Sequence, residues 1–456
     1  MAMNGPRSGG GRPPPPKEGA RDVAARVIAR VLADQAFAAA SLDAELGQAK
    51  LGDPRDVGLA TELTYGVLRT YGFLEAVGTR LSTRGKVFGE PLARAHLFAG
   101  FYTLAFLDRV PAFAAVSESV SGVRRAIGEK PSKFANALLR AFASELEQNG
   151  RPTLEQAIVA SAPPWLKRRL EASLGAEETV RYLGAGPVPP PLAVAIRRGE
   201  DRDAWATRLE PNVTKVTRGA VSPRALLLEG AGDPRSLPGF EDALIVQEEG
   251  AQSIALALGV IEGRRVLDAC AGRGNKTWLL AHEVGKGGTV VAADKHPQKL
   301  RALARRIVDT AKIEAHAVDW TVGRGEVDGQ FDAVLVDAPC SGTGTLRKRP
   351  EIVLHRDDAG LDALAIEQAT ILRAAAACAK TNGHVVYAVC SVLREEAEDV
   401  VRSVIDRGLE DGRRIELVPF ASGILGARFS ERAELRLLPQ TDGTDGYYIA
   451  NLAVRQ

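Results

Sequence analysis

A helical N-terminal domain followed by an α/β domain on a doubly wound, predominantly parallel sheet is what this 456-residue chain predicts. Three observations carry that expectation. From Ala20 to about Glu147, apolar residues recur at three- and four-residue steps, the spacing of a stripe on a helix. Over roughly the last two hundred residues, short apolar runs alternate with helical patterns, the mark of βαβ units. Finally, Phe331–Asp337 reads as a buried strand running into Ala338-Pro339-Cys340-Ser341-Gly342-Thr343-Gly344. Asp337 and Cys340 then sit at or just beyond the C-terminal end of a strand, where open α/β sheets place their chemistry.

Bulk properties set the frame. The length exceeds one typical core, so the chain is multidomain. With 45% hydrophobic and 25% charged residues, its composition is that of an ordinary globular protein. No apolar run reaches the length of a membrane span, and residues 1–19 lack the apolar core of a signal peptide. Cys270, Cys340, Cys378 and Cys390 show no CxxC spacing, which argues against a metal site or a disulfide framework and for the reducing cytoplasm. A net charge of +2 requires any nucleic-acid footprint to be local.

In chain order, residues 1–19 are rich in Gly, Pro and Arg, with almost nothing to bury, and read as a disordered tail. Residues 20–148 form the helical domain. Its stripes are Val23, Val27, Ile28, Val31 and Leu32, then Leu59, Leu63, Val67 and Leu68. A less regular one follows at Leu97, Phe101, Leu104 and Phe106–Leu107, and Asp53-Pro54 and Val110-Pro111 mark helix starts. Residues 149–245 read as a linker and a small α/β subdomain. Pro163-Pro164-Trp165-Leu166 looks like a linker meeting a helix, and the Pro187–Pro191 cluster opens the short segment 192–198. Arg197, Arg198, Lys215, Arg218 and Arg224 make this region locally basic, which more often means a solvated face than a binding site.

Residues 246–456 form the α/β domain. Strands are expected at Arg265–Cys270, Thr289–Asp294, Ala315–Asp319, Phe331–Ala338 and His384–Cys390. Helices are expected from about Trp278, after Asp294 and after Asp362. Asp445-Gly446 ahead of Tyr447–Leu452 suggests a closing antiparallel hairpin. Gly272 and Gly274 let a backbone turn approach a ligand at a strand–helix junction, though no phosphate loop of the GxxxxGK[ST] type is present. Asp294, Asp319 and Asp337 at successive strand ends argue for a nucleoside-containing cofactor. Cys340 and Cys390 follow different strands of one sheet, so both can face one crevice. A thiol becomes a useful nucleophile near neutral pH once its pKa is lowered, although two buried cysteines are also ordinary core residues.

The helical region resembles the NusB-like RNA-binding domain. The resemblance rests on Ala20-Arg21-Asp22-Val23-Ala24, on Thr61–Val67, on Asp108-Arg109-Val110-Pro111 and on Lys133–Arg140. The α/β region is similar to the Fmu/Sun family of RNA cytosine-5 methyltransferases acting on 16S ribosomal RNA. The matching stretches are Asp268–Thr277, Asp337–Gly344 with Leu346–Glu351, Tyr387–Ser391 followed by Glu395-Glu396, Pro439-Gln440 and Asp442–Tyr448. The resemblance implies an all-α NusB-like domain joined to a Rossmann-like, S-adenosyl-L-methionine-dependent methyltransferase domain. It further implies Cys390 as nucleophile, Cys340 assisting product release, and Asp337 near the methyl group and the base. The cofactor is expected on Cys270, Ala271, Gly272, Arg273, Gly274, Asn275 and Lys276, with Asp294 at the ribose and Asp319 near the adenine. Arg347, Lys348 and Arg349 are placed for phosphates. The implied partner is 16S ribosomal RNA or a small-subunit precursor, and a monomer is expected.

Departures from the family pattern are Arg273 and Asn275 in the glycine turn, Val389 before the nucleophile, Ala397 after the glutamates, and Leu354. They leave two other readings open: a catalytically quiet RNA-binding or assembly factor, and a cytosine-5 methyltransferase of another RNA such as tRNA.

Overall fold

The computed structural model describes residues 19–187, 190–307, 310–420, 425 and 431–456. The expected disordered tail, apart from Gly19, lies outside the described residues, as do two residues of the proline cluster at 187–191. The chain divides between Thr153 and Leu154 into two compact units.

The first unit is helical: α1 (Ala20–Asp34), α2 (Ala38–Ala49), α3 (Pro54–Arg69), α4 (Tyr71–Leu81), α5 (Pro91–Phe106), α6 (Ala112–Ile127) and α7 (Glu129–Asn149). Capped prolines start two of them. Asp53 accepts from the Arg55 amide ahead of Pro54, and Glu90 accepts from the Leu92 and Ala93 amides ahead of Pro91. The irregular pattern around Leu97–Leu107 has a simple cause. From Ala95 to Ala105 every residue of α5 is buried, so the helix has no solvent face and shows no stripe. Neighbouring helices approach it closely at Gly66, where a Cβ would lie 2.1 Å from the Tyr102 ring.

The second unit opens with α8 (Leu154–Ser161), α9 (Pro164–Leu174) and α10 (Ala176–Gly184). The segment then builds β1 (Leu192–Ile196), α11 (Arg202–Leu209), β2 (Lys215–Arg218), β3 (Ala225–Glu229) and β4 (Leu244–Val246). These four strands make an antiparallel sheet in the order β2-β3-β1-β4, with Trp205 and Leu209 of α11 in its core. The basic residues of this region are paired with acids of the same unit. Arg197 pairs with Glu200 and Asp242, Arg198 with Glu262, Lys215 with Glu229, Arg218 with Asp203 and Arg224 with Glu283.

The remaining elements are α12 (Glu249–Leu256), β5 (Arg265–Asp268), α13 (Asn275–Val284), β6 (Thr289–Asp294), α14 (Pro297–Arg306), β7 (Lys312–Ala317) and β8 (Phe331–Asp337). They continue with α15 (Ile352–His355), α16 (Asp358–Ala376), β9 (Ala379–Val389), α17 (Glu398–Arg407), β10 (Arg414–Leu417), β11 (Glu434–Leu437), α18 (Pro439–Asp442) and β12 (Tyr447–Arg455). The large sheet runs β10-β12-β9-β8-β5-β6-β7. From β9 to β7 every pairing is parallel, and β12 joins β9 antiparallel. Apolar cores cover both faces, as a parallel sheet requires. Helix α13 begins at Asn275 rather than Trp278. Helix α16 begins at Asp358 rather than after Asp362, because Asp357 caps it by accepting from the Gly360 amide. Strand β7 ends at Ala317, so Asp319 stands beyond it in a turn. The closing strand is antiparallel, but Asp445-Gly446 is no two-residue hairpin turn: β11 pairs Leu437 with Tyr447 across a connection that contains α18.

One buried group in the first unit has a measurable consequence. His96 on α5 is 5% exposed, and burial pushes its imidazole down to about 4 despite Asp22 at 3.9 Å. Its unfolded value is near 6.5, so the unfolded chain takes up a proton that the folded helix refuses. Full stability is present above pH about 6.5 and falls as the pH drops toward 4, by about 3 kcal/mol. The hydrogen-exchange protection factors of the Leu97–Leu104 amides in the full chain, corrected for the intrinsic rate at each pH, should fall over this range, and less so in His96→Asn.

Candidate active site

The site lies at the C-terminal ends of β5, β6, β8 and β9. After β5 the chain turns through Ala269–Gly274 into α13. Gly272 and Gly274 have φ of 57° and 85°, left-handed values that glycine adopts without strain. At Gly274 a Cβ would also meet Leu303 at 2.7 Å, whereas at Gly272 its nearest neighbour would be Cys270 O, 4.0 Å away. The turn is therefore tight on its inner side and open beside Gly272. Asp294, ending β6, holds this turn: Oδ2 accepts from the Gly272 amide at 2.9 Å and Oδ1 from the His296 amide at 2.8 Å.

Beneath the turn, Asp268 is fully buried, with Oδ2 accepting from Thr277 Oγ1 at 2.7 Å. Its Oδ1 has no hydrogen-bond partner among the described residues, and burial pushes the carboxyl up to about 7. Lys276 Nζ lies 2.6 Å from Asp337 Oδ2 at the end of β8. Burial opposes the Lys276 charge, but Asp337 more than offsets this and holds the ammonium above its ordinary range. Cys270 is half-buried, while Arg273 and Asn275 are exposed. Asp319 is exposed too, its carboxylate taken by the Thr321 amide and hydroxyl. The open backbone beside Gly272, the orphaned Asp268 oxygen and the adjacent acids suit a small polar ligand carrying a ribose.

Beside this cradle stand the two cysteines. Asp337 is opposite Ala388 in the parallel register of β8 and β9, and just past those positions Cys340 Sγ and Cys390 Sγ approach to 3.1 Å. Their surroundings differ. The hydrogen bond from Cys340 holds the Cys390 thiol below its ordinary value, against burial and Asp337, with Lys276 and Arg349 helping. Cys340 is pushed well above its ordinary value by that same bond, by burial and by Glu396. A thiol donating to a thiolate is the arrangement these charges favour.

Three loops meet behind the cysteines. The Gly344 amide donates to Cys390 O at 3.0 Å, and the Gly446 amide donates to Gly344 O at 2.7 Å. A Cβ on Gly344 would fall 2.0 Å from Gly446 O, which is why the terminal Asp-Gly matters. Tyr182 of α10 donates its hydroxyl to Thr343 O. Arg347 points inward, donating to Gly443 O at 2.9 Å. Lys348 pairs with Asp445 at 2.8 Å, and Arg349 is exposed. Of the three expected phosphate contacts, Arg349 is exposed, Lys348 is partly exposed and Arg347 is turned inward. Val389 is buried in β9 and Ala397 precedes α17, while Leu354 lies in α15. Two residues absent from the sequence-derived site belong to it, Glu396 and Gln368. Their signal was the repeated Cys-Ser dipeptide at 340–341 and 390–391, whose serines both bond to Glu396.

Fold and site define an S-adenosylmethionine-dependent RNA methyltransferase, and comparison with known proteins agrees. Residues 255–453 match the family described as 16S rRNA methyltransferase RsmB/F, and residues 18–144 match the NusB family. The chain is 32% identical over 446 residues to ribosomal RNA small subunit methyltransferase B of Pseudomonas syringae pv. tomato, covering 95% of this chain and 96% of that one. It is equally 32% identical over 472 residues to the putative methyltransferase Rv1407 of Mycobacterium tuberculosis, covering 98% and 99%. The solved structure of PH0851 shares the fold, with a TM-score of 0.77 and 21% identity over 96% of this chain and 99% of that one. The chain belongs to the RsmB/F family of 16S rRNA methyltransferases, which transfer methyl groups from S-adenosylmethionine to ribosomal RNA.

Gly344→Ala should cost about 1–3 kcal/mol by forcing the three loops apart. Thermal unfolding should shift down and methyl transfer should fall. An unchanged melting temperature would show that the loops need no such close approach.

Proposed function

We propose that this chain methylates C5 of a cytosine in 16S ribosomal RNA, free or in an assembling small subunit, through a covalent bond between Cys390 and C6. We further propose that it acts as a monomer in the cytoplasm; among the described residues no helix is long and apolar enough to cross a membrane. The observation that carries the reading is the thiol pair: two sulfurs 3.1 Å apart, just past the strand ends where Lys276 pairs with Asp337.

Cytosine C5 is a poor nucleophile, so the chemistry needs a prior addition. The Cys390 thiolate forms a bond to C6, and the C5=C6 electron pair becomes available at C5. Asp337, anchored by Lys276, supplies a carboxylate to stabilise protonated N3 during that addition. Residues Cys270–Lys276, with Asp294 and Asp319 toward the nucleoside end, would hold S-adenosylmethionine, which when bound would supply an electrophilic methyl group for C5. The C5 proton then passes to solvent water, its electron pair restores the C5=C6 bond, the C6–S bond breaks with its pair returning to the Cys390 sulfur, and N3 gives up its proton. Cys340, whose sulfur lies 3.1 Å from that of Cys390, assists that step by giving a hydrogen bond to the departing Cys390 sulfur. The base has to be reached outside a stack, which favours single-stranded or opened RNA.

Cys340→Ala should accumulate a protein–RNA adduct stable to denaturing electrophoresis, because addition proceeds while release is slowed. Cys390→Ala should form none. Adduct in both variants, or only in Cys390→Ala, would reverse or overturn the assignment.

A further inference from the structure

The two cysteine loops share one buried anchor that does not touch the reacting atoms. Cys340 and Cys390 are each followed by a serine, and both serine hydroxyls turn to Glu396. Its Oε2 accepts from Ser341 Oγ at 2.5 Å and Ser391 Oγ at 2.6 Å. Its Oε1 accepts from the Ser341 amide at 2.7 Å and Gln368 Nε2 at 2.9 Å. Gln368, on α16, also donates to Pro339 O at 2.9 Å, and the Tyr387 hydroxyl donates to Glu396 O at 2.7 Å. Glu396 is fully buried, and its carboxylate is met by hydrogen bonds alone among the described residues.

A buried carboxylate carries a large desolvation cost, and an amide could tie two loops together more cheaply. What the charge adds is asymmetry. Of the four hydrogen bonds to its carboxylate, two come from Ser341, next to Cys340, and one from Ser391, next to Cys390; the other charged groups facing the pair are Asp337, Lys276 and Arg349, with the Tyr182, Tyr387 and Tyr447 hydroxyls around them. Negative charge next to Cys340 favours its neutral form.

We propose that Glu396 is a positioning residue for methyl transfer: it locks the Cys340 and Cys390 loops in register and keeps the shared proton on Cys340, leaving Cys390 as the nucleophile. The catalytic meaning rests on the covalent reading above, but the proton bias is a property of the resting protein. It can be measured without RNA.

Glu396→Gln preserves side-chain length. Its carbonyl can still accept from the Ser341 amide and Gln368, and its amide can donate to serine hydroxyls that reverse. The full-length protein is treated with iodoacetamide near neutral pH, and each cysteine is followed by peptide mass analysis. Cys390 should react about tenfold faster than Cys340 in the parent protein, and the two rates should come within about twofold in Glu396→Gln. Calorimetric binding of S-adenosylhomocysteine should be unchanged, and kcat for methyl transfer should fall with KM for RNA preserved. Unchanged selectivity in a folded Glu396→Gln protein, or Cys340 as the faster thiol in the parent, would overturn the proposal. If Glu396→Gln does not fold, Glu396→Asp decides: it keeps the charge and loses reach, so selectivity should persist while kcat drops. Loss of selectivity there, or an unaltered kcat, would count against the proposal. Methyl transfer to a position other than C5 would defeat the covalent reading and leave this thiol selectivity intact.

Discussion

The parallel pairing of β8 with β9 sets Asp337 opposite Ala388, and most of the site follows from that register. Beyond those positions both strands leave the sheet on the same side, so Cys340 and Cys390 arrive together although 50 residues separate them. A slip of one residue would turn the side chains of one strand to the other face. The paired runs Ala333–Val336 and Val385–Val389 are buried and pack apolar layers on both faces of the sheet.

Sheet register alone does not fix two sulfurs at 3.1 Å; the loops that carry them need their own constraint. Backbone contacts through Gly344 and Gly446 bring three segments to a separation that no side chain permits. Glu396 closes the arrangement from below, and α10 adds the Tyr182 hydroxyl from the flank. Leu166, Leu170 and Leu183 of the preceding helices share a core with Val392 and Leu393, so α9 and α10 buttress the Cys390 loop. The cradle beside Gly272 is built on the opposite logic. Its backbone is left open, and Asp294 holds the turn in shape while Asp268 keeps an oxygen unpaired.

The helical and α/β halves were legible because their periods differ, and the strand ends because an acid or cysteine follows each apolar run. The details that stayed hidden share one cause: sequence marks where a residue stands along the chain, not where its side chain turns. Asp294 does end its strand, and its carboxylate also holds the glycine turn through the Gly272 and His296 amides. Asp319 was read as a strand end, but β7 stops at Ala317 and the acid caps a turn. Arg347 looked like a phosphate contact and is held inward by Gly443 O. The basic run from Arg197 to Arg224 is paired with acids distant in sequence, such as Asp242 and Glu283. Glu396 stood in view beside the nucleophile, but its link to Ser341 crosses 55 residues.

Membership of a 16S rRNA methyltransferase family gives the reaction class and the substrate class. The central claim here is narrower, that Cys390 makes C5 of a cytosine the methyl acceptor. The most direct test is transfer of labelled methyl from S-adenosylmethionine to 16S RNA and to immature small subunits, followed by nucleoside analysis. The account predicts label in 5-methylcytidine, abolished by Cys390→Ala. Label in any other nucleoside, or 5-methylcytidine still formed by Cys390→Ala, would contradict it.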